Sequence, residues 1–109
     1  MTTITITKSK TGEYKKVTCK GHAGYADSGS DIVCSAVSLL VINTVNSLEL
    51  LTNTQADVTS SEEKGIIKCS FKEAPDEGGK LLLDSMVLGL RNVADEYGGR
   101  YLKLNFREV

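Results

Sequence analysis

The sequence lacks the features that mark several large classes of protein. It contains no uninterrupted apolar run of about 18 residues, so we expect no transmembrane helix. The first segment, MTTITITKSK, has no basic region followed by an apolar stretch, so it does not predict a secretory signal. We therefore expect a cytoplasmic protein. The net charge of −1 argues against a general nucleic-acid binder, because such proteins usually carry a basic surface.

Paired cysteine motifs are also missing. The three cysteines, Cys19, Cys34 and Cys69, have spacings that match neither a disulfide framework nor a CxxC zinc site. We expect all three to be free thiols in a reducing compartment. The length of 109 residues is sufficient for one domain with one core, so residues 1–109 are interpreted as a single domain.

Hydrophobic periodicity predicts seven elements in the order ββαββαβ. Alternating apolar residues predict strands at 3–7, 14–22, 56–60, 65–71 and 100–106, the last with Leu102, Leu104 and Phe106 inward. Helical spacing predicts one helix over about 34–51. It predicts a second helix that Asp76 caps, that becomes regular after Gly78 and Gly79, and that ends before Gly98. This order predicts an α+β two-layer domain, with both helices on one face of a mainly antiparallel sheet.

Several apolar residues lie off the predicted buried stripes of the helices. They are Leu39, Ile42, Leu82 and Leu88. A two-layer monomer would expose them, which favours a homodimer whose interface covers them. The alternative is that they are single exposed apolar residues, which are common on protein surfaces.

A glycine-rich segment joins the only histidine, His22, to Cys34. The pattern places Cys34 at the start of the first predicted helix, where free N–H groups favour a thiolate and could hold an oxyanion. His22 ends the second predicted strand and could accept the thiol proton. Cys19 and Cys69 alternate with apolar neighbours and are interpreted as core residues.

Two further residues are candidates for supporting roles. Asp31 could orient the imidazole, or it could be an ordinary residue of a helix N-terminus. Ser38 follows Cys34 by one helical turn and could hydrogen-bond in the site or back to its own helix. A metal site built from His22, Cys34, Asp27 and Asp31 is a rival interpretation, although zinc usually takes more histidine or cysteine ligands.

The segment 23–32 is predicted to be a flexible loop that closes over a peptide. Gly21, Gly24 and Gly29 allow unusual backbone conformations there, and Tyr25 could line the pocket. A plain connector is the alternative. The carboxylates of Asp27 and Asp31 would suit a basic substrate, but two charges indicate this only weakly.

The segment GHAGYADSGSDIVCSAVS resembles the signature of the ribosomal-processing cysteine protease family, Prp. The flanking segments VNSLELL and LLLDSMVLGLRNVADEYG also agree, while Ser35 stands where many members carry alanine. The resemblance implies a cysteine endopeptidase with Cys34 as nucleophile and His22 as base, needing no metal or cofactor. It also implies a dimer with a flexible loop between the two catalytic residues.

The same resemblance implies a substrate. Family members remove a short N-terminal extension from large-subunit ribosomal protein twenty-seven, cutting after an aromatic residue. We therefore expect a ribosomal protein as partner, without direct contact to nucleic acid or membrane. The alternative function is a non-enzymatic ribosome-assembly module that binds a ribosomal protein.

Overall fold

The computed structural model describes residues 2–21, 28–61, 63–97 and 100–109, and for 28–31 the backbone alone. The predicted order ββαββαβ is confirmed. The elements are β1 (Thr2–Lys8), β2 (Tyr14–Lys20), α1 (Ser28–Leu51), β3 (Asp57–Ser61), β4 (Ile66–Ser70), α2 (Glu77–Tyr97) and β5 (Leu102–Glu108).

The five strands form one sheet in the order β3-β4-β2-β1-β5. Neighbouring strands are antiparallel except β1 and β5, which are parallel. The prediction of a mainly antiparallel sheet is therefore confirmed. Because β4 pairs with β2, the β3-β4 hairpin extends the sheet on the side away from β5.

Alternating side chains build the core on one face of the sheet. Ile4 lies opposite Cys19, and Cys19 lies opposite Ile67, so a single row crosses β1, β2 and β4. In the next row on the same face, Val17 on β2 lies opposite Cys69 on β4. Ile4 is fully buried and Cys69 nearly so, as strand alternation predicts for the covered face.

The two helices pack side by side and bury one stripe each. The buried residues on α1 are Val33, Val37, Val41, Thr44 and Leu48, and those on α2 are Gly79, Leu83, Met86 and Leu90. Within α1, Ile32–Leu51 is long and apolar enough by composition to cross a membrane. Its buried stripe in the core accounts for part of this apolar composition.

The first helix begins earlier than the sequence pattern predicts, and this corrects the placement of Cys34. It starts at Ser28 rather than near Cys34, which is therefore the seventh residue of α1. Ser28 followed three residues later by an acidic residue is a helix-start pattern. One glycine at position 29 costs only about 1 kcal/mol relative to alanine, which is not enough to prevent a helix held by buried Val33 and Val37.

The second helix also begins earlier, at Glu77, so Gly78 and Gly79 belong to it. Asp76 caps this end as predicted, because Gly79 N–H donates to its Oδ1 at 2.7 Å. The Thr54 hydroxyl donates to the same oxygen at 2.7 Å. These hydrogen bonds hold the pKa of Asp76 below its usual value, with the bond from Thr54 as the largest cause.

Phe106 only partly follows the prediction for the last strand. It lies opposite Ile6 on the helix side of the sheet, yet it is 49% exposed. β5 is an edge strand, and the guanidinium of Arg91 lies 4.9 Å from the Phe106 ring centre. The ring therefore contacts a charged side chain and solvent at the edge of the sheet, so Phe106 is not a core residue.

Candidate active site

Cys34 lines a cleft between α1 and one end of the sheet. Ser38 and Ile42 line it from the same helix, and the spacing of four residues places all three on one flank of α1. Cys19 and Ile67 lie on the sheet side. The cleft has a volume of about 250 Å³. Ser38 and Cys34 therefore line the same cleft, and a role of Ser38 in catalysis stays a prediction.

The three thiols lie in different surroundings. Cys19 is 8% exposed and Cys69 is 2% exposed, as strand alternation predicts. Burial raises the pKa of the Cys19 thiol to about 11, with the neighbouring Cys34 as a smaller cause. Burial also raises the pKa of Cys69 to about 11, with a smaller effect from Asp57. Cys34 is the partly exposed thiol, so it is the one that a substrate in the cleft can reach.

The predicted activation of Cys34 by a helix N-terminus is wrong. An N–H group at the seventh position of an α-helix bonds to the carbonyl four residues earlier and is not free. The field of the helix end falls off within the first turn. The first-turn N–H groups of α1 therefore do not hold an oxyanion at Cys34, and another donor must do so.

Gly21 ties the end of β2 to the start of β4. Its N–H donates to the carbonyl of Gly65 at 3.0 Å, and its φ of 137° lies in a region that favours glycine. Gly21 therefore belongs to the end of the sheet and lines the cleft, rather than being part of a flexible loop.

The rest of the predicted loop is divided between α1 and residues outside the described part of the chain. Gly29 and Asp31 lie in the first turn of α1, where the backbone is helical, so the loop does not extend to residue 32. The Asp31 side chain is outside what the structure describes. His22, Gly24, Tyr25 and Asp27 also lie outside the described residues.

Metal binding finds no support among the described side chains. In that part of the chain, no three histidine, cysteine, aspartate or glutamate residues lie close enough together to hold an ion. The rival metal site depends on His22, Asp27 and the Asp31 side chain, which are outside it.

Several cleft residues were not identified from the sequence. They are Thr2, Ile42, Ser60, Ser61, Gly65, Ile66 and Ile67. Five of them lie on β1, β3 and β4, and the pairing of these strands in the sheet decides their place. Gly65 alone carries a sequence signal, as a glycine directly before the strand segment IIKCS.

Comparison with known sequences finds one family over nearly the whole chain. Residues 1–103 match the family described as Cysteine protease Prp. The ribosomal processing cysteine protease Prp of Staphylococcus aureus is 27% identical over 107 residues, covering 98% of this chain and all of that protein. The protein of the same name from Bacillus subtilis is 28% identical over 81 residues, covering 71% of this chain and 72% of its own.

Comparison with solved structures gives the same result. The Staphylococcus aureus Prp in complex with a substrate peptide superposes with a TM-score of 0.91 at 26% identity, covering 98% of this chain and 100% of that one. The same protease with a covalently linked product peptide gives 0.88 at 27% identity, with the same coverage. A Streptococcus mutans protein gives 0.89 at 31% identity, covering 100% of this chain and 96% of that one.

Proposed function

This chain belongs to the Prp family of cysteine proteases, and we propose that it removes a short N-terminal extension from large-subunit ribosomal protein twenty-seven. Protease activity follows from the family and from a solved relative that carries a covalently linked product peptide. Ribosomal processing is the activity named for the relatives in Staphylococcus aureus and Bacillus subtilis. The signature segment around Cys34 supports the particular substrate and a cut after an aromatic residue.

One observation carries the assignment of the nucleophile. Cys34 is the thiol that is both partly exposed and at the cleft, whereas Cys19 and Cys69 are buried thiols with raised pKa values. A thiolate is the attacking form, and a pKa near 11 leaves little thiolate at neutral pH. Cys34 is therefore the residue that can attack a peptide in this cleft.

The base is His22, which is bonded in the chain to Gly21 at the edge of the cleft. The imidazole accepts the Cys34 proton as Sγ attacks the scissile carbonyl carbon. When the carbon–nitrogen bond breaks, His22 gives that proton to the leaving amine, and the peptide before the cut remains as a thioester on Cys34. Water then attacks the thioester carbonyl carbon while His22 accepts a proton from it. The carbon–sulfur bond breaks, His22 returns the proton to Sγ so that the Cys34 thiol is restored, and the extension leaves with a new carboxylate.

The assembled form in this proposal is a homodimer in the cytoplasm, where ribosomes are built. Leu39 is 71% exposed on α1 and Leu88 is 62% exposed on α2, and Ile42 is 48% exposed at the cleft itself. Leu82, by contrast, packs partly against the core. Burying the three exposed side chains against a second copy would remove apolar surface from water.

A peptide cleavage assay tests the function. The substrate is a synthetic peptide that contains the extension and the first residues of the host's ribosomal protein twenty-seven, and mass spectrometry locates the cut. We expect one cut after an aromatic residue, abolished by Cys34→Ala and by His22→Ala. Cys69→Ala serves as the matched control, since it removes a thiol that does not line the cleft. Any loss of activity in this variant should follow the loss of folded protein.

Two results would contradict the proposal. Binding of the peptide without cleavage by the unaltered protein would favour an assembly module. Full activity of the Cys34→Ala protein would exclude Cys34 as the nucleophile.

A further inference from the structure

Both helices lie on one face of the sheet, which leaves the other face open in the described part of the chain. Ile4, Val17 and Cys69 are buried on the helix side, so the residues that alternate with them point to the opposite side. The open face of the sheet consists of the odd-numbered residues of β1, β3 and β5, the even-numbered residues of β4, and those of β2 from Lys16 onward.

The open face is basic. Five of its side chains are cations, and all of them are exposed: Lys16, Lys20, Lys68, Lys103 and Arg107. Its one carboxylate is that of Asp57, on the edge strand β3. The whole chain has a net charge of −1, so the rest of it carries an excess of acidic residues. The net charge therefore conceals a basic surface of the kind that attracts polyanions.

The strand register distributes these cations over the whole open face. Lys16 and Arg107 lie in one row, Lys20 and Lys103 lie in another, and Lys68 lies in the row between them. Within each pair β1 separates the two cations, and it contributes only threonines to this face. Neighbouring strands are about 4.8 Å apart, so the backbones at the members of a pair are about 10 Å apart. A chain of phosphates that crosses the face therefore meets cations in every row, with hydroxyl donors between them.

The open face fits a phosphate backbone better than a lipid bilayer. Within the described part of the chain, none of its five cations is held in an ion pair with a carboxylate. The large exposed apolar residues of that part of the chain lie at other positions. A surface that binds a membrane normally adds apolar side chains that enter the lipid. Basic groups and hydroxyls without such anchors are typical of contacts to phosphate and sugar.

We propose that the open face of the sheet binds RNA, through its cations to phosphates and through its hydroxyls to the sugars. The choice of RNA among polyanions rests on the proposed function, because a ribosomal protein is assembled onto RNA. Ser61 and Ile66 belong to this face and also line the cleft of Cys34, so bound RNA lies at the same end of the sheet as the nucleophile. The inference is contrary to the expectation from net charge alone, which averages over surfaces of opposite sign.

Fluorescence polarisation measures the binding of a short labelled single-stranded RNA of mixed sequence. We expect saturable binding, with the logarithm of the affinity falling linearly with the logarithm of the salt concentration. The double variant Lys16→Gln and Lys68→Gln should bind at least tenfold more weakly and depend less on salt, because two phosphate contacts are lost. Lys103→Gln, on the edge strand β5, is a second variant and should weaken binding at least threefold.

The matched control removes two cations that are not on the open face. Lys72 follows β4 and Lys80 lies on α2, and both are exposed. The double variant Lys72→Gln and Lys80→Gln has the same net charge as the open-face double variant, yet its affinity for RNA should change less than threefold. Equal losses in the two double variants would show that net charge alone attracts RNA, and this would overturn the inference.

Three further probes distinguish RNA from other anionic partners: DNA of the same sequence, vesicles containing phosphatidylglycerol, and polyglutamate. We expect RNA to bind more tightly than DNA, because threonine hydroxyls and the Asn105 amide can hydrogen-bond to 2′-hydroxyls. DNA binding as tight as RNA binding would overturn the assignment to RNA. Binding of vesicles or polyglutamate through the open face, without binding of RNA, would also overturn it.

Peptide cleavage in the absence of RNA separates this inference from the proposed function. The variant Lys16→Gln and Lys68→Gln should cleave the synthetic peptide at the original rate, because neither residue lines the cleft. RNA binding by an unaltered protein that does not cleave the peptide would support the surface and contradict the proposed function. Cleavage by a protein that does not bind RNA at low salt would overturn the surface alone.

Discussion

At the scale of single residues, chemical difference among three identical side chains comes from burial. Cys19 and Cys69 lie on the same face of the sheet as apolar strand residues, and both side chains are buried from solvent. Desolvation disfavours the thiolate, which raises the pKa of each to about 11. Cys34 lies on the flank of α1 beside the buried stripe, where the cleft reaches it.

Thiol labelling tests this difference. At pH 7 a thiol with a pKa of about 11 is ionised to only about one part in ten thousand, in addition to being shielded. We expect iodoacetamide to modify Cys34 first, and Cys19 and Cys69 only on unfolding. Peptide mapping of briefly treated protein measures the order. Modification of Cys19 or Cys69 before Cys34 in the folded protein would contradict the assignment.

At the scale of elements, the helix ends depend on contacts that are distant in sequence. The start of α2 is held by Asp76, whose carboxylate accepts from Gly79 N–H, from Thr54 and from Asn53 N–H at 3.1 Å. Asp76 is visible in the sequence as a cap, but Thr54 and Asn53 reach it only through the fold. This extra support explains why two glycines are helical immediately after the cap.

Replacement of two α2 glycines by alanine should have opposite consequences. A Cβ at Gly79 would overlap the Thr54 hydroxyl oxygen and crowd Asp76. Overpacking of this kind costs about 1–3 kcal/mol, so we expect Tm to fall by at least about 4 °C. A Cβ at Gly89 meets the Cδ2 tip of Leu40 at 2.9 Å, and that flexible end can move.

Gly89→Ala should therefore leave Tm unchanged or raise it slightly, because alanine gains about 0.5–1 kcal/mol over glycine inside a helix. Thermal unfolding followed by circular dichroism measures both variants. Equal effects of Gly79→Ala and Gly89→Ala would show that Thr54 does not constrain the start of α2.

At the scale of the whole molecule, the two-layer arrangement leaves the outer side of the helices without a covering layer in a single chain. Both helices face the sheet with one stripe, and large apolar residues remain exposed on each. The largest exposed fractions on α1 and α2 are those of Leu50, Leu51, Leu39, Leu81 and Leu88. This distribution is the physical basis for the proposed homodimer.

Charge introduced on the helix layer should separate the proposed dimer. We expect the double variant Leu39→Glu and Leu88→Glu to be monomeric at concentrations where the unaltered protein is dimeric. Its Tm in dilute solution should stay close to the original, since both side chains are exposed. Sedimentation equilibrium measures the mass. Val109→Glu is the control, because this exposed apolar residue follows β5; a monomeric unaltered protein at tens of micromolar would contradict the dimer.

The sequence by itself determined the order of elements, the core parity of the strands and the burial of Cys19 and Cys69. These follow from local periodicity, because one face of each strand or helix must be buried. Tertiary structure decided the exposure of Phe106 and the cleft itself. Gly65 meets Gly21 only because β4 pairs with β2, and Cys34 lines the same cleft only because α1 packs against the sheet. Local patterns do not specify which strands are neighbours, so the residues on the sheet side of the cleft could not be predicted from them.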